Sequence, residues 1–448
     1  AIQFGKSTNE TAIRNHFWVL LNEYARKKNY EVVTEVSCQG TKGKKVYPDG
    51  IVKNLFGLDI GLWESKDEKT SIDDEIDLKI RTGYPLTNIL FEDSATVILY
   101  QRGELAMRIP MRDADKLHEL ITAFISFKNE TVYKFEAALE NFKADIPKIV
   151  EALRERIETI GKNNKTFITA RDTFLELCKA EINPEITLAD VREMMIQHML
   201  TSDIFSRIFN DPDFHRHNTI ARELELLIDA LFTYSERRNL MGNIDHYYEA
   251  ISAAAAGVTD HHEKQKFLKV LYENFYKVYN PKAADRLGVV YTPNEIVQFM
   301  SESTDYLLNK HFGKTLADQN VEILDPATGT GTYISAIIDY IPKHLLAYKY
   351  KNELHANEVA ILPYYIANLN VEFTFKQKMG YYEEFKSLCF VDTLDNVDAL
   401  KFARRDSGHQ VKTSLFALSS ENSERIKKQN QKKISVIIGN PPYNANQA

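Results

Sequence analysis

The stretch that most narrows what this chain can fold into is VEILDPATGTGTYISAII, Val321 to Ile338. An apolar run ends on Asp325, a loop of small residues follows, and apolar residues then recur at helical spacing. Glycines let a backbone approach a ligand with no Cβ in the way, and the helix start offers free N–H groups. Three ligands suit such a loop. A phosphate loop needs Lys-Ser/Thr after its glycines, and Thr332-Tyr333 stands there instead. A dinucleotide site needs Gly-x-Gly-x-x-Gly, and GTGTYI has no third glycine. Adenosyl-methionine fits better, because its amino-acid half is zwitterionic and Asp325 can hold the ammonium. The plain alternative is a tight strand-to-helix turn.

The pattern repeats downstream. In LHANEVAILPYYIANLN, Glu358 sits just after a second short strand and starts a helix. An acidic residue there can hold both ribose hydroxyls, or it can simply favour the helix N-terminus. LCFVDTLDN ends a third strand at Asp392, able to accept from an adenine amino group. ISVIIGNPPYN is a fourth apolar strand, ending in Asn440-Pro441-Pro442-Tyr443. Strand–helix alternation from about residue 286 argues for a parallel, Rossmann-like sheet with helices on both faces. Its strand tips would then point Asp, Glu, Asp and Asn toward one crevice. At the last tip the Asn440 side-chain oxygen and the Pro441 carbonyl are acceptors, and proline brings no competing N–H. Together they can grip both hydrogens of an exocyclic amino group, with Tyr443 stacking on the base ring as base-flipping enzymes require. Alone, the tetrapeptide would be a proline-rich turn.

The chain has 448 residues, enough for two or three domains, and its 44% hydrophobic residues can fill substantial cores. The net charge of -7 gives no overall basic footprint for nucleic acid. Three scattered cysteines, Cys38, Cys178 and Cys389, make neither a disulfide framework nor a zinc pattern, which points to a reducing cytoplasm. No apolar run approaches the ~20 residues of a membrane span. Residues 1–127 mix helix and strand: ETAIRNHFWVLLNEYARKK and DADKLHELITAFISF have helical spacing, while YEVVTEV, YPDGIVKN, IGLWESK and ATVILYQRG read as strands. Asn9 or Thr8 is available to cap the first helix. Residues 128–285 are helical nearly throughout and read as a spacer or coupling domain. Residues 286–448 form the alternating region.

The front region carries a second constellation. YPDG supplies Asp49, and WESKD supplies Glu64 and Lys66 on a neighbouring strand. Strand alternation puts Glu64 and Lys66 on one face and Ser65 on the other. Two carboxylates can bind Mg²⁺ while the lysine orients or activates water for phosphodiester hydrolysis. Glu10 or Glu23 on the first helix could add a ligand. By itself the set is also what a surface ion cluster looks like. FGKST (residues 4–8) lacks the strand and first glycine of a phosphate loop, and the histidines of HRH (215–217) and HH (261–262) have no partner cysteines. RIKKQNQKK reads as a solvated lead-in to the last strand.

These motifs resemble those of a known group. Residues 286–448 are similar to the γ-class amino-methylating DNA methyltransferases. GVVYTPNEIVQFM resembles their upstream segment, in which Tyr291, Thr292 and Pro293 would help enclose adenosyl-methionine. DPATGTGT resembles their cofactor loop, implying contacts from Asp325, Ala327, Thr328, Gly329, Gly331 and Thr332. Glu358 takes the place of the ribose ligand, Asp392 that of the adenine contact, and Asn440-Pro441-Pro442-Tyr443 that of the catalytic element. The resemblance implies adenine N6 as the target rather than cytosine N4. The front region resembles the Pro-Asp…Glu-x-Lys (Mrr-like) nuclease fold of restriction enzymes.

Together they resemble single-chain restriction–modification enzymes of types IIG and ISP, including the segment FYKVYNPKAADRLGVVYTP. That implies double-stranded DNA as partner, with adenosyl-methionine and Mg²⁺ as cofactors. Residues 128–285 contain no Gly-Lys-Thr loop or DEAD-like box, so the expectation is no ATPase and a type IIG arrangement. Such methyltransferases continue past Asn-Pro-Pro-Tyr into further strands and a target-recognition domain, so a C-terminally truncated chain is expected. The competing expectations are a methyltransferase whose front domain only binds DNA, a non-catalytic DNA-binding remnant, and methylation of RNA or of protein glutamine.

Overall fold

β-Branched and aromatic runs form the buried central strands of this chain, while the edge strands Glu31–Thr34 and Glu104–Pro110 are largely exposed. The computed structural model describes residues 10–66, 71–93, 95–209, 218–242, 244–258, 261–279, 292–394 and 419–442. It divides into two units, Ala1–Glu140 with Glu249–Leu271, and Asn141–Tyr248 with Tyr272–Ala448.

The first unit is built on β1 (Glu31–Thr34), a small ribbon of β2 (Cys38–Gln39) and β3 (Lys45–Val46), then β4 (Gly50–Lys53), β5 (Asp59–Ser65), β6 (Asn88–Glu92), β7 (Thr96–Gln101) and β8 (Glu104–Pro110). Six strands pair in the order β1-β4-β5-β6-β7-β8, with β5 and β6 parallel and the other pairs antiparallel. Ile51, Leu62, Ile89, Phe91 and Ile98 pack with Ile72 and Ile76 of the helix Ile72–Thr82. Trp63 stacks on Phe17 of the helix Glu10–Arg26, centroids 5.8 Å apart. Helix Ile72–Thr82 and strands β6 and β8 are additions to the sequence reading. The helix buries only Ile72 and Ile76, so its apolar stripe is faint, and its stability rests on its ends. Ser71 accepts from the Asp74 N–H, acids fill the first turn, and Gly83 closes it in the left-handed region. The expected caps Asn9 and Thr8 lie outside the described residues.

The second unit joins a helical array to a parallel sheet. Phe142, Ile146, Val150, Leu153 and Ile157 form the buried stripe of Glu130–Gly161, which accommodates Pro147. TIARELELLIDALFTYSERRNL forms two helices, Thr219–Leu231 and Tyr234–Met241. Thr233 and Glu236 make a reciprocal capping box, which starts a new helix where one continuous run was expected. The sheet comprises β9 (Glu322–Asp325), β10 (Leu354–Glu358), β11 (Leu388–Phe390) and β12 (Ile434–Ile437), all parallel, in the order β11-β10-β9-β12. The order reverses between β9 and β12, and a ligand crevice in an open parallel sheet lies at the carboxyl ends of strands flanking such a reversal.

Lys349 fixes the other end of this sheet. Its ammonium is buried and donates to the carbonyls of Asp318 (2.6 Å) and Val321 (2.7 Å) and to Glu353 Oε2 (2.8 Å). Glu353 Oε1 accepts in turn from the Asn320 N–H at 2.6 Å. The network ties the approach to β9 to the helix that feeds β10. Removing one partner strands a buried charge. Lys349→Met is expected to destabilise the fold by about 3–5 kcal/mol, measured by denaturant unfolding, and wild-type stability in this variant would disprove the assignment.

Candidate active site

Asp325 is the last residue of β9 and is fully buried. Its Oδ1 accepts the Ala327 N–H (3.2 Å), its carbonyl accepts the Thr328 hydroxyl (3.1 Å), and its Oδ2 has no partner among the described residues. Burial pushes its carboxyl up to about 8; the Ala327 N–H opposes this and the nearby Glu358 adds to it. Glu358 is the last residue of β10, three residues before the helix Ile361–Met379 that it was expected to start. Its Oε1 accepts from the N–H groups of Val359 (2.9 Å) and Ala360 (2.7 Å), and its Oε2 from Gly329 (2.8 Å). Even with three donors, burial raises it to about 7. The acid therefore reaches across from one strand tip to hold the glycine loop of the next.

Two glycines in this crevice are dictated by space. Gly331 has φ +84, and a Cβ there would lie 3.1 Å from Ala367 Cα. Gly439, just after β12, passes so close to Asp325 that a Cβ would come within 2.5 Å of its Oδ1. The chain leaving β12 thus runs beside the buried aspartate and delivers Asn440, whose amide Nδ2 donates to Thr292 Oγ1 at 3.0 Å. That contact joins two segments 148 residues apart and leaves the Asn440 side-chain oxygen as its acceptor. Asn440, Pro441 and Pro442 are exposed.

The structure brings together Asp325, Gly329, Glu358 and Gly439 through direct contacts or close approach, and Thr292 with Asn440. Ala327 and Thr328 bond within the loop, the Thr328 N–H donating to the Asn357 carbonyl at 2.9 Å. Thr332 is the first helical residue after the loop, and Pro293 precedes the helix Asn294–Phe312. Asp392 lies two residues past β11. Tyr291 and Tyr443 lie outside the described residues. Sequence reasoning missed Asn357, Thr393 and Asn370. Thr393 Oγ1 donates to the Pro326 carbonyl (2.6 Å) and accepts from Asn357 Nδ2 (3.1 Å), while Asn370 Nδ2 holds the Thr330 carbonyl (2.9 Å). Asn357 had a signal, its place beside Glu358; the other two had none beyond being polar.

In the first unit, Asp49 precedes β4, and β4 pairs with β5 so that Gly50 faces Trp63. Asp49 Oδ2 accepts the Ser65 N–H (2.9 Å) and Oδ1 meets Arg14 Nη1 (3.1 Å). Glu64 is buried; its Oε2 meets Lys79 Nζ at 2.8 Å and Lys66 Nζ at 3.7 Å, and its Oε1 has no partner among the described residues. Burial raises the Glu64 carboxyl, the Lys79 hydrogen bond opposes, and the charge of Asp49 raises it further. Lys66 also meets Glu75 at 3.1 Å. Lys66 lies one residue past β5, which ends at Ser65. From the first helix it is Arg14, not an acid, that reaches Asp49; Glu23 is exposed, and the Glu10 side chain lies outside those described. Among the described residues, no three His, Cys, Asp or Glu side chains gather as a metal-holding group. HRH lies outside the described residues, as do FGKST and the side chains of HH. In RIKKQNQKK, Arg425 is largely buried against Glu384 (2.6 Å) and Glu421 (2.7 Å), and Lys432 bonds Glu322 (2.9 Å), so the run is structural rather than solvated at these positions.

The raised carboxyl of Asp325 sets a stability sign. A folded pKa above the unfolded one adds stability below the unfolded value that is lost as pH rises through the folded value. For Asp325 the loss runs from about pH 4 to about pH 8. Asp325→Asn, which cannot ionise, is expected to melt higher than the wild type at pH 8.5, with the gap closing toward pH 4. A constant gap across that range would show that Asp325 does not titrate in it.

Similarity to known proteins places these features. Residues 138–263 match the coupler domain of type ISP restriction-modification enzymes, and residues 263–378 match the N-6 DNA methylase family. No curated protein matches the chain. The cryo-EM structure of a DrdV–DNA complex is similar over 100% of this chain and 43% of its own, at 46% identity and TM-score 0.69. The ATP-dependent type ISP enzyme LlaBIII bound to DNA is similar over 75% of this chain and 22% of its own, at 31% identity and TM-score 0.61. A nuclease-deletion mutant of the type ISP enzyme LlaGI with a DNA substrate mimic is similar over 74% and 26%, at 29% identity and TM-score 0.58. The chain thus spans less than half the length of these solved relatives. Among the described residues no helix is long and apolar enough to cross a membrane. The chain carries a type ISP restriction-modification coupler domain followed by an N-6 DNA methylase domain.

Proposed function

We propose that this chain belongs to a bifunctional restriction–modification enzyme that methylates adenine N6 in double-stranded DNA and cleaves unmodified DNA. The observation that carries the methylation reading is the passage of Gly439 beside buried Asp325, which sets Asn440 at the mouth of the crevice. The unpartnered Asp325 Oδ2 suits the ammonium of adenosyl-methionine, Glu358 suits its ribose hydroxyls, and Asp392 its adenine. Bound there, the cofactor supplies an electrophilic methyl group. Asn440 Oδ1 and the Pro441 carbonyl accept the two N6 hydrogens of a flipped adenine and turn its lone pair outward, and Tyr443 stacks on the base. Thr292, by taking the Asn440 amide hydrogen, fixes which end of that amide faces the base.

The cleavage reading rests on Asp49 and Glu64 at adjoining strand ends with Lys66 beside them. Two carboxylates, one with an unpartnered buried oxygen, are hard oxygen donors suited to Mg²⁺. Asp49 and Glu64 would hold the ion, which polarises the scissile phosphate, and Lys66 would orient the attacking water. DNA binding is proposed from the DNA-bound state of the relatives. The absence of ATPase motifs from residues 128–285 favours a type IIG arrangement over an ATP-driven one. A second reading, a methyltransferase with a DNA-binding but non-catalytic front domain, draws on the pairing of both carboxylates with cations, Arg14 and Lys79.

Two variants of the intact protein separate the activities. Asn440→Ala should lower methyl incorporation from labelled adenosyl-methionine into DNA by about 100-fold or more while Mg²⁺-dependent plasmid cleavage persists. Lys66→Ala should do the reverse. Loss of both activities from either change would contradict two separate centres, and cleavage by Asp49→Ala at the wild-type rate would select the second reading.

A further inference from the structure

The contact that the proposed chemistry leaves unexplained joins the helical array to Asp392. Past the end of helix Lys165–Glu181, the N–H groups of Ile182 and Asn183 both donate to the Cys178 carbonyl, and a tight turn follows in which the Ile186 N–H donates to the Asn183 carbonyl (3.2 Å). Pro184 occupies the second position of that turn, where its fixed φ suits the bend. The Asn183 side chain is gripped from both ends. Its Oδ1 accepts the Glu185 N–H at 2.8 Å, and its Nδ2 donates to Asp392 Oδ2 at 3.2 Å. A backbone N–H can only donate and a carboxylate can only accept, so the amide has one permitted orientation. The Asp392 N–H donates to the Ile182 carbonyl (3.3 Å), and Asp392 Oδ1 accepts the Leu394 N–H (3.0 Å). Every one of these bonds constrains where the Asp392 carboxylate points.

We infer that Asn183 is a positioning residue for the cofactor, a side chain of the helical array that aims Asp392 at the adenine amino group and so completes the methyl donor's pocket from outside the methylase domain. The inference rests on the reading of Asp392 as the adenine contact given above. Each Asp392 oxygen uses one of its lone pairs on the contacts described, and the others remain for the N6 hydrogens. A misaimed carboxylate would weaken binding and, more tellingly, would blunt the preference for a base that donates at this position over one that accepts.

The test exploits the fixed orientation of the amide. Asn183→Asp keeps the acceptor for the Glu185 N–H, hence the turn, but sets a carboxylate against Asp392. Asp392→Asn alone leaves one side-chain oxygen for two donors, the Asn183 amide and the Leu394 N–H, so one of the two contacts is lost. The double change Asn183→Asp with Asp392→Asn rebuilds the pair with donor and acceptor exchanged, and leaves the residue 392 side-chain oxygen for the base. Calorimetry with S-adenosylhomocysteine and with its hypoxanthine counterpart, which has an oxygen in place of the amino group, reads both affinity and base preference. Each single variant is expected to bind S-adenosylhomocysteine about tenfold or more weaker and to lose most of its preference over the hypoxanthine probe. The double variant should recover both to within about threefold. Wild-type affinity and preference in Asn183→Asp, or no recovery in the double variant, would overturn the inference. Asp392→Ala distinguishes the two levels. If it loses affinity while Asn183→Asp does not, the positioning role alone falls; if it binds as wild type, the adenine role of Asp392 is wrong and the inference falls with it. Melting temperatures of all four variants separate loss of aim from loss of fold.

Discussion

The crevice depends on a hydrogen-bonded belt across three strand tips. The Thr393 hydroxyl gives its proton to the Pro326 carbonyl and takes one from Asn357, while the Asn357 carbonyl takes the Thr328 N–H. Pro326 and Thr328 follow β9, Asn357 lies within β10 next to its end, and Thr393 follows β11. The belt flanks two buried acids, Asp325 and Glu358, each raised chiefly by burial, with the charge of Glu358 adding to the rise at Asp325. The belt uses neutral groups only, so it holds in either charge state of Asp325 and Glu358. Gly329 then moors the loop to Glu358 from the other side. These bonds hold the loop after β9, the end of β10 and the segment after β11 in one fixed arrangement.

What could be read from the sequence follows from the range of the forces involved. Asp325 and Glu358 were legible near strand ends and each is the last residue of its strand, whereas Asp392 and Asn440, expected at strand ends, lie two and three residues past β11 and β12. The reason for the glycine before Asn440, the oxygen of Asp325 lying where a Cβ would stand, was not legible. Thr393 and Asn183 could not be found, because their partners are supplied by topology rather than by spacing; Asn183 and Asp392 are 209 residues apart. The basic run near residue 430 misled for the same reason. Arg425 reads as solvated until Glu384 and Glu421 are seen around it. In the front region the faint helix Ile72–Thr82 was overlooked, and with it Lys79, the cation that sits closest to Glu64.

That front cluster is balanced in a particular way. Arg14 faces Asp49, and Lys79 and Lys66 face Glu64, so positive charge stands where two carboxylates converge. The Lys79 ammonium is held above its usual range; burial is the largest single influence and works against its charge, but the hydrogen bond and charge of Glu64 together with Tyr84 outweigh it. Pairing of this kind lets the acids be buried without a metal. It also sets a competition, since a divalent ion entering between Asp49 and Glu64 must displace or outbid cations that are covalently tethered to the same fold. Whether an acid pair of this sort is a metal site or a structural ion cluster is therefore a question of differential affinity, and the unpartnered Oε1 of Glu64 is the feature that the structural alternative leaves unexplained.

The helix Ile361–Met379 shows how the helical array and the methylase sheet become one mechanical piece. It is buried on nearly all sides, so its sequence has no amphipathic stripe to read. One face presents Tyr365 to buried His198 (3.0 Å) and Asn368 to Asn218 (3.0 Å), both from the helical array. The spacing of three residues keeps those two contacts on one side. The opposite face carries Ala367, Asn370 and Val371. Asn370 holds the Thr330 carbonyl, and Gly331 has room only for a hydrogen against Ala367 and Val371. Polar pairs buried between helices specify register more than they add stability, because a slip of one residue leaves donors and acceptors unmatched. A slip of one residue along this helix would therefore unmatch both pairs, while on its opposite face the Ala367 Cα lies 3.1 Å from where a Gly331 Cβ would stand.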